Sequence, residues 1–305
     1  MSPVVERPLV SFPGGGTTIG LFLKEASAAL ARAGLPSPRL DAEVLLARRL
    51  GRERAYLFAH GDEAIGGDTA ASLWSWVERR LRGEPVAYIV GRKDFWTFSL
   101  SVDPRVLIPR PETELLVEEA LKILSRSATV HPRIVDVGTG SGAIALALAK
   151  ERPDAFVVAT DISPPAVELA RRNASAAGLG GRVSFVVGDL LSCLGGEFDL
   201  VISNPPYIGD EEYRSLPPGV RDFEPPVALC APGDGTFFHR LLIGECPGIL
   251  AQGGWLVMEV GDGQGAAVLA LIEEADAFGE AYLKRDYAGR ERLVAARRKE
   301  AWTRS

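Results

Sequence analysis

The residues best suited to chemistry form one tetrapeptide, Asn204-Pro205-Pro206-Tyr207, just past the stretch Leu-Val-Ile-Ser at 200–203. The side-chain oxygen of Asn204 and the main-chain carbonyl of Pro205 can each accept one N–H of a planar –NH2 group. Proline fixes φ near about −65° and restricts the residue before it, so the second proline holds that carbonyl still. The ring of Tyr207 can stack on a planar group. The tetrapeptide therefore predicts a site that orients a planar amino group, which adenine, guanine and a glutamine side chain all present.

Orientation matters for such a nitrogen because its lone pair is delocalised into the neighbouring ring or carbonyl. A site that holds both N–H bonds can direct the lone pair at an electrophilic methyl carbon. Catalysis then comes mainly from orientation and fixed dipoles. A strong general base is not needed before transfer if the methyl donor is a sulfonium that leaves as a neutral sulfide.

A glycine-rich loop lies upstream, where residues 136–143 read Asp-Val-Gly-Thr-Gly-Ser-Gly-Ala between a predicted strand and a predicted helix. Glycines at this place let the backbone turn tightly and approach a ligand closely. Asp161 ends the next predicted strand, where a carboxylate can accept hydrogen bonds from both hydroxyls of a ribose. The loop and the carboxylate together predict a cofactor that contains a nucleoside.

The glycine spacing alone does not decide between NAD and S-adenosylmethionine, because Gly138, Gly140 and Ala143 also satisfy the looser dinucleotide pattern. Asp136 favours S-adenosylmethionine, since a carboxylate there suits an ammonium group and would crowd a pyrophosphate. After the third predicted strand, residues 188–190 read Gly-Asp-Leu, which can bind the adenine amino group and cover the ring. These details predict S-adenosyl-L-methionine as cofactor and S-adenosyl-L-homocysteine as product.

The elements that must position these motifs alternate from residue 133 onward. Strands are predicted over 134–137, 156–160, 183–187, 198–203, 255–260 and 292–296, and helices over 143–150, 165–177, 237–250 and 266–275. Strict alternation indicates a mainly parallel sheet with helices on both faces, and ligands bind at the carboxyl ends of its strands. The predicted fold class is α/β, with a Rossmann-like, doubly wound class I methyltransferase domain.

The first third of the chain has a different pattern. Helical periodicity covers 19–33, 39–50 and 69–83, with Thr17 or Thr18 as cap of the first helix and Asp68 as cap of the third. Extended segments are predicted at 86–90, 95–100 and 105–108, followed by a helix over 112–125. The predicted domains are a flexible tail (1–16), a helical bundle (17–84), a β-hairpin linker (85–110) and the methyltransferase domain (111–300).

Composition narrows the function classes. The chain of 305 residues is 47% hydrophobic and 24% charged, which excludes a disordered chain, a fibre and a coiled-coil rod. Acidic residues exceed basic ones, 40 to 34, so the net charge of −6 weakens any role that needs many phosphate contacts.

Cysteine and histidine usage predicts neither a disulfide framework nor a metal site. The three cysteines include no CxxC pair, and the three histidines are far apart in the sequence. The chain shows no basic-then-apolar leader and no apolar run near the ~18 residues of a membrane span. We therefore expect a soluble, cytoplasmic protein.

Taken together, these motifs resemble those of the bacterial release-factor glutamine methyltransferases, over about residues 20–297. The stretch at 107–113, Leu-Ile-Pro-Arg-Pro-Glu-Thr, is far more specific than a glycine loop. The remaining shared stretches are Asp41-Ala42-Glu43, Gly83-Glu84-Pro85, Gly91 with Phe95-Trp96, Phe223-Glu224-Pro225, and Arg285-Asp286-Tyr287 with Gly289 and Arg292. The family has an N-terminal helical domain, a hairpin and a methyltransferase domain, so the resemblance implies the same architecture here.

The resemblance also implies a substrate and a reaction. The implied reaction is methyl transfer from S-adenosyl-L-methionine to the side-chain amide nitrogen (N5) of the glutamine in the Gly-Gly-Gln motif of peptide chain release factors. Asn204, Pro205, Pro206 and Tyr207 would hold that glutamine, and the helical bundle would recognise the substrate protein. The implied cofactor-binding residues are Asp136, Gly138, Thr139, Gly140, Ser141, Gly142, Asp161, Ile162, Asp189, Leu190 and Asn204. A bulkier aromatic residue often replaces Leu190 in this family.

Further expectations concern Phe95, Thr113 and Arg110. Phe95 and Thr113 are expected near the cofactor on the basis of the resemblance. From the residues alone, Phe95 is expected in the hairpin core, and Arg110 is expected to pair with Glu112 at a helix start.

Three other functions remain open at this level. A relative that methylates a glutamine of a large-subunit ribosomal protein shares the tetrapeptide, although the intact 108–113 stretch favours the release-factor branch. A nucleic-acid adenine N6-methyltransferase would need a basic recognition domain, and the longest basic stretch here is Arg-Arg-Leu-Arg at 79–82. A non-enzymatic docking module would not need both motifs intact. We expect a monomer with a protein substrate and no direct contact with nucleic acid or membrane.

Overall fold

The computed structural model of the protein describes residues 17–300, and the chain divides into two compact units after Val90. The tail predicted for residues 1–16 lies outside the described residues. The predicted bundle ends at residue 84 and the predicted linker spans 85–110, whereas the structure assigns 85–90 to the first unit and 91–110 to the second.

The first unit is helical, as predicted. Its elements are β1 (Thr17–Thr18), α1 (Ile19–Arg32), α2 (Pro38–Leu50), α3 (Arg54–Ala59), β2 (Ala64–Ile65), α4 (Gly67–Leu81) and α5 (Val86–Val90). Thr18 caps α1, because its side chain accepts the N–H of Leu21 at 3.3 Å. The predicted cap of the third helix is wrong, since α4 begins earlier, with Gly66 at its N-cap, and Asp68 lies within its first turn.

The shared Asp41-Ala42-Glu43 stretch has a structural role in this unit. Asp41 accepts a hydrogen bond from Arg80 at 2.7 Å, which ties α2 to α4. Glu43 is 4% exposed and binds both Arg39 and Arg54. These pairs satisfy carboxylates that would otherwise be buried without partners.

The strand predicted at 86–90 is wrong, because Val86–Val90 forms the short helix α5. The N–H groups of Tyr88 and Ile89 both donate to the carbonyl of Pro85, which starts a helical turn. Ile89 is buried in the core of the first unit. Burial of this side chain outweighs the β-propensity of the branched residues around it.

The second unit begins with a hairpin, β3 (Arg92–Phe95) and β4 (Phe98–Ser101). The strand predicted at 95–100 is confirmed over 98–100, which lie in β4, but its start is wrong, because the hairpin turn falls inside it at Trp96, which has a φ of 55°. The main-chain N–H of Trp96 donates to Glu114 and its indole N–H to Glu151, which hold this turn. The strand predicted at 105–108 is also wrong, since the N–H of Ile108 donates to the side chain of Glu224 rather than to a neighbouring strand.

A seven-stranded sheet forms the centre of the second unit. Its strands are β5 (Arg133–Val137), β6 (Phe156–Asp161), β7 (Val183–Val187), β8 (Phe198–Ser203), β9 (Leu250–Glu259), β10 (Phe278–Arg285) and β11 (Glu291–Arg298). They lie in the order β10-β11-β9-β8-β5-β6-β7, and all pairs from β9 to β7 are parallel. The strand order reverses direction at β5, so a crevice is expected outside its carboxyl end.

Helices cover both faces of the sheet, as predicted. They are α6 (Glu114–Arg126), α7 (Ala143–Glu151), α8 (Pro164–Ala176), α9 (Asp210–Ser215), α10 (Pro218–Arg221), α11 (Phe237–Glu245) and α12 (Gly265–Glu274). One core contains the buried faces of α6, α7 and α8, and a second contains those of α11 and α12. None of the helices within residues 17–300 is long and apolar enough to cross a membrane.

Two boundaries in this unit differ from the prediction. The helix predicted over 237–250 ends at Glu245, because Cys246–Gly248 forms a 3-10 turn around a proline that cannot continue an α-helix. The fifth strand consequently starts at Leu250 rather than at 255. Strand β10 has no counterpart in the prediction, since its residues after Phe278 are exposed or half-buried and show no clear apolar alternation.

Candidate active site

One cavity lies at the carboxyl ends of β5, β6 and β8. The predicted site residues that line it are Gly138, Thr139, Gly140, Ser141, Asp161, Ile162, Asp189, Leu190, Asn204 and Pro206. Asp136, Gly142, Pro205 and Tyr207 do not line it. The structure thus places the glycine loop and part of the tetrapeptide around the same space.

The glycine loop is held against the end of β6 by its own backbone. The N–H groups of Gly138 and Thr139 both donate to the carbonyl of Thr160 at 2.9 Å. Gly138 and Gly140 have φ values of 73° and 54°, in the left-handed region that favours glycine. No atom lies within 4 Å of the position where a Cβ would stand on either glycine. The loop therefore leaves room for a ligand to approach its backbone.

Asp161 is fixed by two backbone donors. Its Oδ2 accepts the N–H of Gly140 and its Oδ1 accepts the N–H of Ser163, both at 2.9 Å. Burial raises the pKa of Asp161, and these two hydrogen bonds act in the opposite direction. Each carboxylate oxygen has a further lone pair, so the group can accept hydrogen bonds from two hydroxyls of a ligand in the cavity.

Asp136 lies behind the loop and is 1% exposed. Its Oδ2 accepts the hydroxyl of Thr139 at 2.6 Å and the N–H of Ala145 at 3.1 Å, which joins the loop to the start of α7. Its Oδ1 has no hydrogen-bond partner among the described residues. Burial, with a contribution from the charge of Asp161, raises the pKa of Asp136 to about 7. The proposed contact of this carboxylate with an ammonium group stays a prediction.

The segment after β7 is conformationally strained where it meets the cavity. Leu190 has a φ of 45°, which non-glycine residues rarely adopt and which is concentrated at functional sites. Asp189 beside it is exposed and lines the cavity. The preceding Gly188 is required by packing, since a Cβ there would lie 2.2 Å from the sulfur of Cys193.

The tetrapeptide after β8 is held by side chains from distant parts of the chain. Asn204 donates from Nδ2 to the hydroxyl of Thr113 at 3.2 Å, and that hydroxyl donates to Oε2 of Glu259 at 2.7 Å. The hydroxyl of Tyr207 donates to Oε1 of Glu259 at 3.0 Å. Gln264 donates to the main-chain carbonyl of Tyr207 at 2.9 Å.

The place of Tyr207 differs from the predicted stacking position. Its hydroxyl points to Glu259, and its ring does not line the cavity. Burial and the adjacent carboxylate raise the pKa of Tyr207, so its hydroxyl remains a hydrogen-bond donor at neutral pH. Stacking of this ring on a substrate stays a prediction, whereas its role in holding the tetrapeptide is visible in the structure.

Glu259 is the main residue that the sequence prediction missed. It is 1% exposed and lies at the carboxyl end of β9. Burial raises the pKa of Glu259, while the hydrogen bonds from Thr113 and Tyr207 and the positive charge of Arg292 lower it. The sequence offered one sign of this residue, a single acidic side chain in the apolar run at 255–260.

An ion pair between half-buried Arg110 and a buried carboxylate lies at one wall of the cavity. Arg110 lines the cavity and donates to Oε1 of Glu224 at 2.6 Å. Glu224 is 3% exposed and also accepts the N–H of Ile108 at 3.1 Å. The expected pairing of Arg110 with Glu112 is therefore wrong, because Glu224 supplies a buried carboxylate from a stretch 114 residues away.

Of the two residues expected near the cofactor, only Thr113 lines the cavity. Phe95 is 1% exposed, belongs to the core between the sheet and α6, and does not line the cavity. Its place agrees with the alternative prediction from the residues alone, which assigned it to the core.

Comparison with known proteins adds to this geometry. Residues 22–91 match the PrmC N-terminal domain, and residues 112–215 match the methyltransferase small domain. The chain is 48% identical over 260 residues to the release factor glutamine methyltransferase of Xylella fastidiosa (strain 9a5c), covering 85% of this chain and 93% of that protein. The chain belongs to the release factor glutamine methyltransferase family.

Two solved structures are also similar to this chain. A protein-(glutamine-N5) methyltransferase (release factor-specific) from Alicyclobacillus acidocaldarius is 30% identical, with 66% of this chain and 99% of that chain covered and a TM-score of 0.40. The hMettl16 catalytic domain in complex with MAT2A 3'UTR hairpin 6 is 16% identical, with 78% and 84% covered and a TM-score of 0.53. The second likeness shows the shared fold alone.

Membership of this family makes the protein a methyltransferase, and methyltransferases of this fold use S-adenosylmethionine. The residues present fit such a cofactor. They offer a glycine backbone with open space beside it, a fixed carboxylate on the cavity wall and a buried carboxylate oxygen without a partner.

Proposed function

We propose that the protein transfers a methyl group from S-adenosyl-L-methionine to the side-chain amide nitrogen (N5) of the glutamine in the Gly-Gly-Gln motif of peptide chain release factors. One observation carries the proposal: Asn204 lines the same cavity as the glycine loop, and its Nδ2 is engaged by Thr113. Its Oδ1 is then the atom left to meet an amide N–H. The names of the relatives support the choice of glutamine and of release factors.

Specific residues are proposed to hold the cofactor. Asp161 would accept the ribose hydroxyls, the backbone at Gly138 and Gly140 would face the ligand, and Asp189 with Leu190 would contact the adenine. Asp136 would contribute negative charge beneath the loop. When bound, S-adenosyl-L-methionine supplies an electrophilic methyl group on a sulfonium.

The tetrapeptide is proposed to orient the glutamine amide. Asn204 Oδ1 and the carbonyl of Pro205 would accept its two N–H bonds, which turns the nitrogen lone pair out of conjugation and towards the methyl group. Thr113 holds the Asn204 amide, and Pro206 restricts the backbone at Pro205, so both acceptors would need little reorganisation during transfer. The proton of the product nitrogen leaves after the methyl group has moved, when the nitrogen is strongly acidic.

The helical first unit is proposed to recognise the substrate protein. Its sequence matches the N-terminal domain of this family over residues 22–91. The methyltransferase motifs all lie in the second unit, so the first unit is free to serve recognition.

A methyl-transfer assay with labelled S-adenosylmethionine tests the proposal. Purified unmethylated release factor, total ribosomal protein and unmethylated DNA are offered in parallel. The proposal expects label on the release factor alone. Label on a ribosomal protein or on DNA, with none on the release factor, would contradict the assigned substrate.

A further inference from the structure

The hydroxyl of Thr113 has one proton and two polar neighbours. Glu259 Oε2 lies 2.7 Å away and Asn204 Nδ2 lies 3.2 Å away. In its ionised form Glu259 can only accept, so the proton of Thr113 then points at Oε2. Thr113 can then only accept from Asn204, and an amide oxygen turned towards it would place two acceptors together. The hydroxyl therefore sets which way the Asn204 amide faces.

The second carboxylate oxygen of Glu259 binds the last residue of the tetrapeptide. Its Oε1 accepts the hydroxyl of Tyr207 at 3.0 Å. One buried carboxylate thus holds the first and the last residue of Asn204 to Tyr207. Arg292 lies near enough for its positive charge to favour the ionised carboxylate.

We propose that Glu259 is a positioning residue that acts through Thr113 to keep the Nδ2 of Asn204 turned inward and its Oδ1 turned towards the substrate amide. This inference rests on the proposed function, because it assumes that an amide N–H is the group that Oδ1 receives. Glu259 itself does not line the cavity, so its effect on transfer is indirect.

Glu259→Gln tests the direction of this relay. The glutamine amide would present an N–H to one of the two hydroxyls, and an N–H facing Thr113 would turn the Thr113 proton towards Asn204. We expect kcat to fall by about 100-fold, with KM for the release factor and the Kd for S-adenosylhomocysteine changed less than about 3-fold. A rise of about 100-fold in KM or in Kd, with kcat unchanged, would contradict the inference.

Glu119→Gln is the matched control. Glu119 is likewise 1% exposed and accepts a tyrosine hydroxyl, that of Tyr282, at 2.8 Å, together with Lys284 at 2.9 Å. It has no contact with the tetrapeptide. If Glu119→Gln lowers kcat as much as Glu259→Gln does, the loss comes from removing a buried carboxylate charge anywhere in the fold. That result would overturn the inference.

Two substitutions at Thr113 keep the test open if Glu259→Gln fails to fold. Thr113→Val removes the hydroxyl and should lower kcat by about 100-fold, while Thr113→Ser should recover most of that loss because it restores the hydroxyl. In the double variant Thr113→Val with Glu259→Gln, the losses should be far from additive, since both break one relay. Fully multiplied losses, or a rate near that of the parent in Thr113→Val, would overturn the inference.

A measurement without substrate separates this inference from the proposed function. The side-chain NH2 signal of Asn204, identified by its loss in Asn204→Asp, can be followed by NMR hydrogen exchange. We expect slow exchange in the parent, in Thr113→Ser and in Glu119→Gln, and at least about 10-fold faster exchange in Thr113→Val and Glu259→Gln. Unchanged exchange in both would refute the relay even if the release factor is methylated. A parent that methylates no release factor would refute the proposed function, and the exchange rates would still decide the relay.

Discussion

The two halves of the cavity are built in different ways. In the half after β5 and β6, carboxylates hold backbone N–H groups, and Asp161 reaches Gly140, which lies 21 residues away. In the half after β8, the contacts come from side chains distant in the sequence, and Thr113 reaches Glu259 across 146 residues. The first half depends on the local conformation of a glycine loop, whereas the second depends on the assembled sheet. Substitutions in the two halves should therefore separate cofactor binding from methyl transfer.

The largest effect is expected from Asn204→Ala in the second half. It removes the orienting acceptor, so we expect methyl transfer to fall by about 1,000-fold. Cofactor affinity, measured by calorimetry with S-adenosylhomocysteine, should stay within about 3-fold of the parent, because Asp161 and the glycine loop are intact. Transfer near the parent rate would show that the role given to Asn204 is wrong.

A pH-dependent effect on stability is expected from Asp136 in the first half. The pKa of Asp136 is raised to about 7 by burial, so the folded protein binds this proton more tightly than the unfolded chain does. The stability tied to this group is complete below about pH 4 and is lost as the pH rises to about 7. Asp136→Asn keeps an acceptor for Thr139 and Ala145 but carries no charge.

We therefore expect the stability difference between Asp136→Asn and the parent to shift in favour of the variant by on the order of 3 kcal/mol between pH 4 and pH 8. Urea unfolding of both proteins at several pH values measures this shift. A difference that stays constant with pH would show that Asp136 titrates normally.

A smaller effect, confined to the first half, is expected from Asp161→Ala. The variant loses the acceptor for ribose hydroxyls and releases the N–H of Gly140, so the Kd for S-adenosylhomocysteine should rise by about 100-fold. Asp154→Ala is the control, since Asp154 binds Arg152 and does not line the cavity. Equal affinities of Asp161→Ala and Asp154→Ala would remove the basis for the ribose assignment.

The smallest effect is expected from the ion pair of Arg110 with Glu224 at the cavity wall. Arg110→Ala leaves the carboxylate of Glu224 buried without its ionic partner, so the free energy of unfolding should fall by about 2 kcal/mol. Arg110→Ala combined with Glu224→Gln should recover part of that loss, because the buried charge is also removed. An unchanged urea midpoint in Arg110→Ala would show that the pair contributes nothing to stability.

The contrast between the halves also explains what the sequence could predict. The glycine loop, Asp161 and the tetrapeptide each follow a predicted strand. Because the carboxyl ends of parallel strands lie at one edge of a sheet, the sequence predicts that the three motifs lie together. Glu259 gave only a faint signal in the sequence. Its partners Thr113 and Tyr207 lie in the turn before α6 and in the loop after β8, and no local spacing records them. The pairing of Arg110 with Glu224 was missed for the same reason.

The errors in the fold have a common physical cause. Val86–Val90 has the composition of a strand but forms a helix because Ile89 packs into the helical core. Trp96 turns the hairpin with a positive φ because Glu114 and Glu151 hold it, and tryptophan is not a turn signal. In both places tertiary contacts outweigh local propensity.

Tandem mass spectrometry of the reacted release factor tests the central claim most directly. The release factor is incubated with the protein and S-adenosylmethionine, digested, and the peptide that contains Gly-Gly-Gln is fragmented. The account predicts one added methyl group, placed by the fragment ions on the side-chain amide of the glutamine. A methyl group on another residue, or an unmodified Gly-Gly-Gln peptide from an enzyme preparation that binds the cofactor, would contradict it.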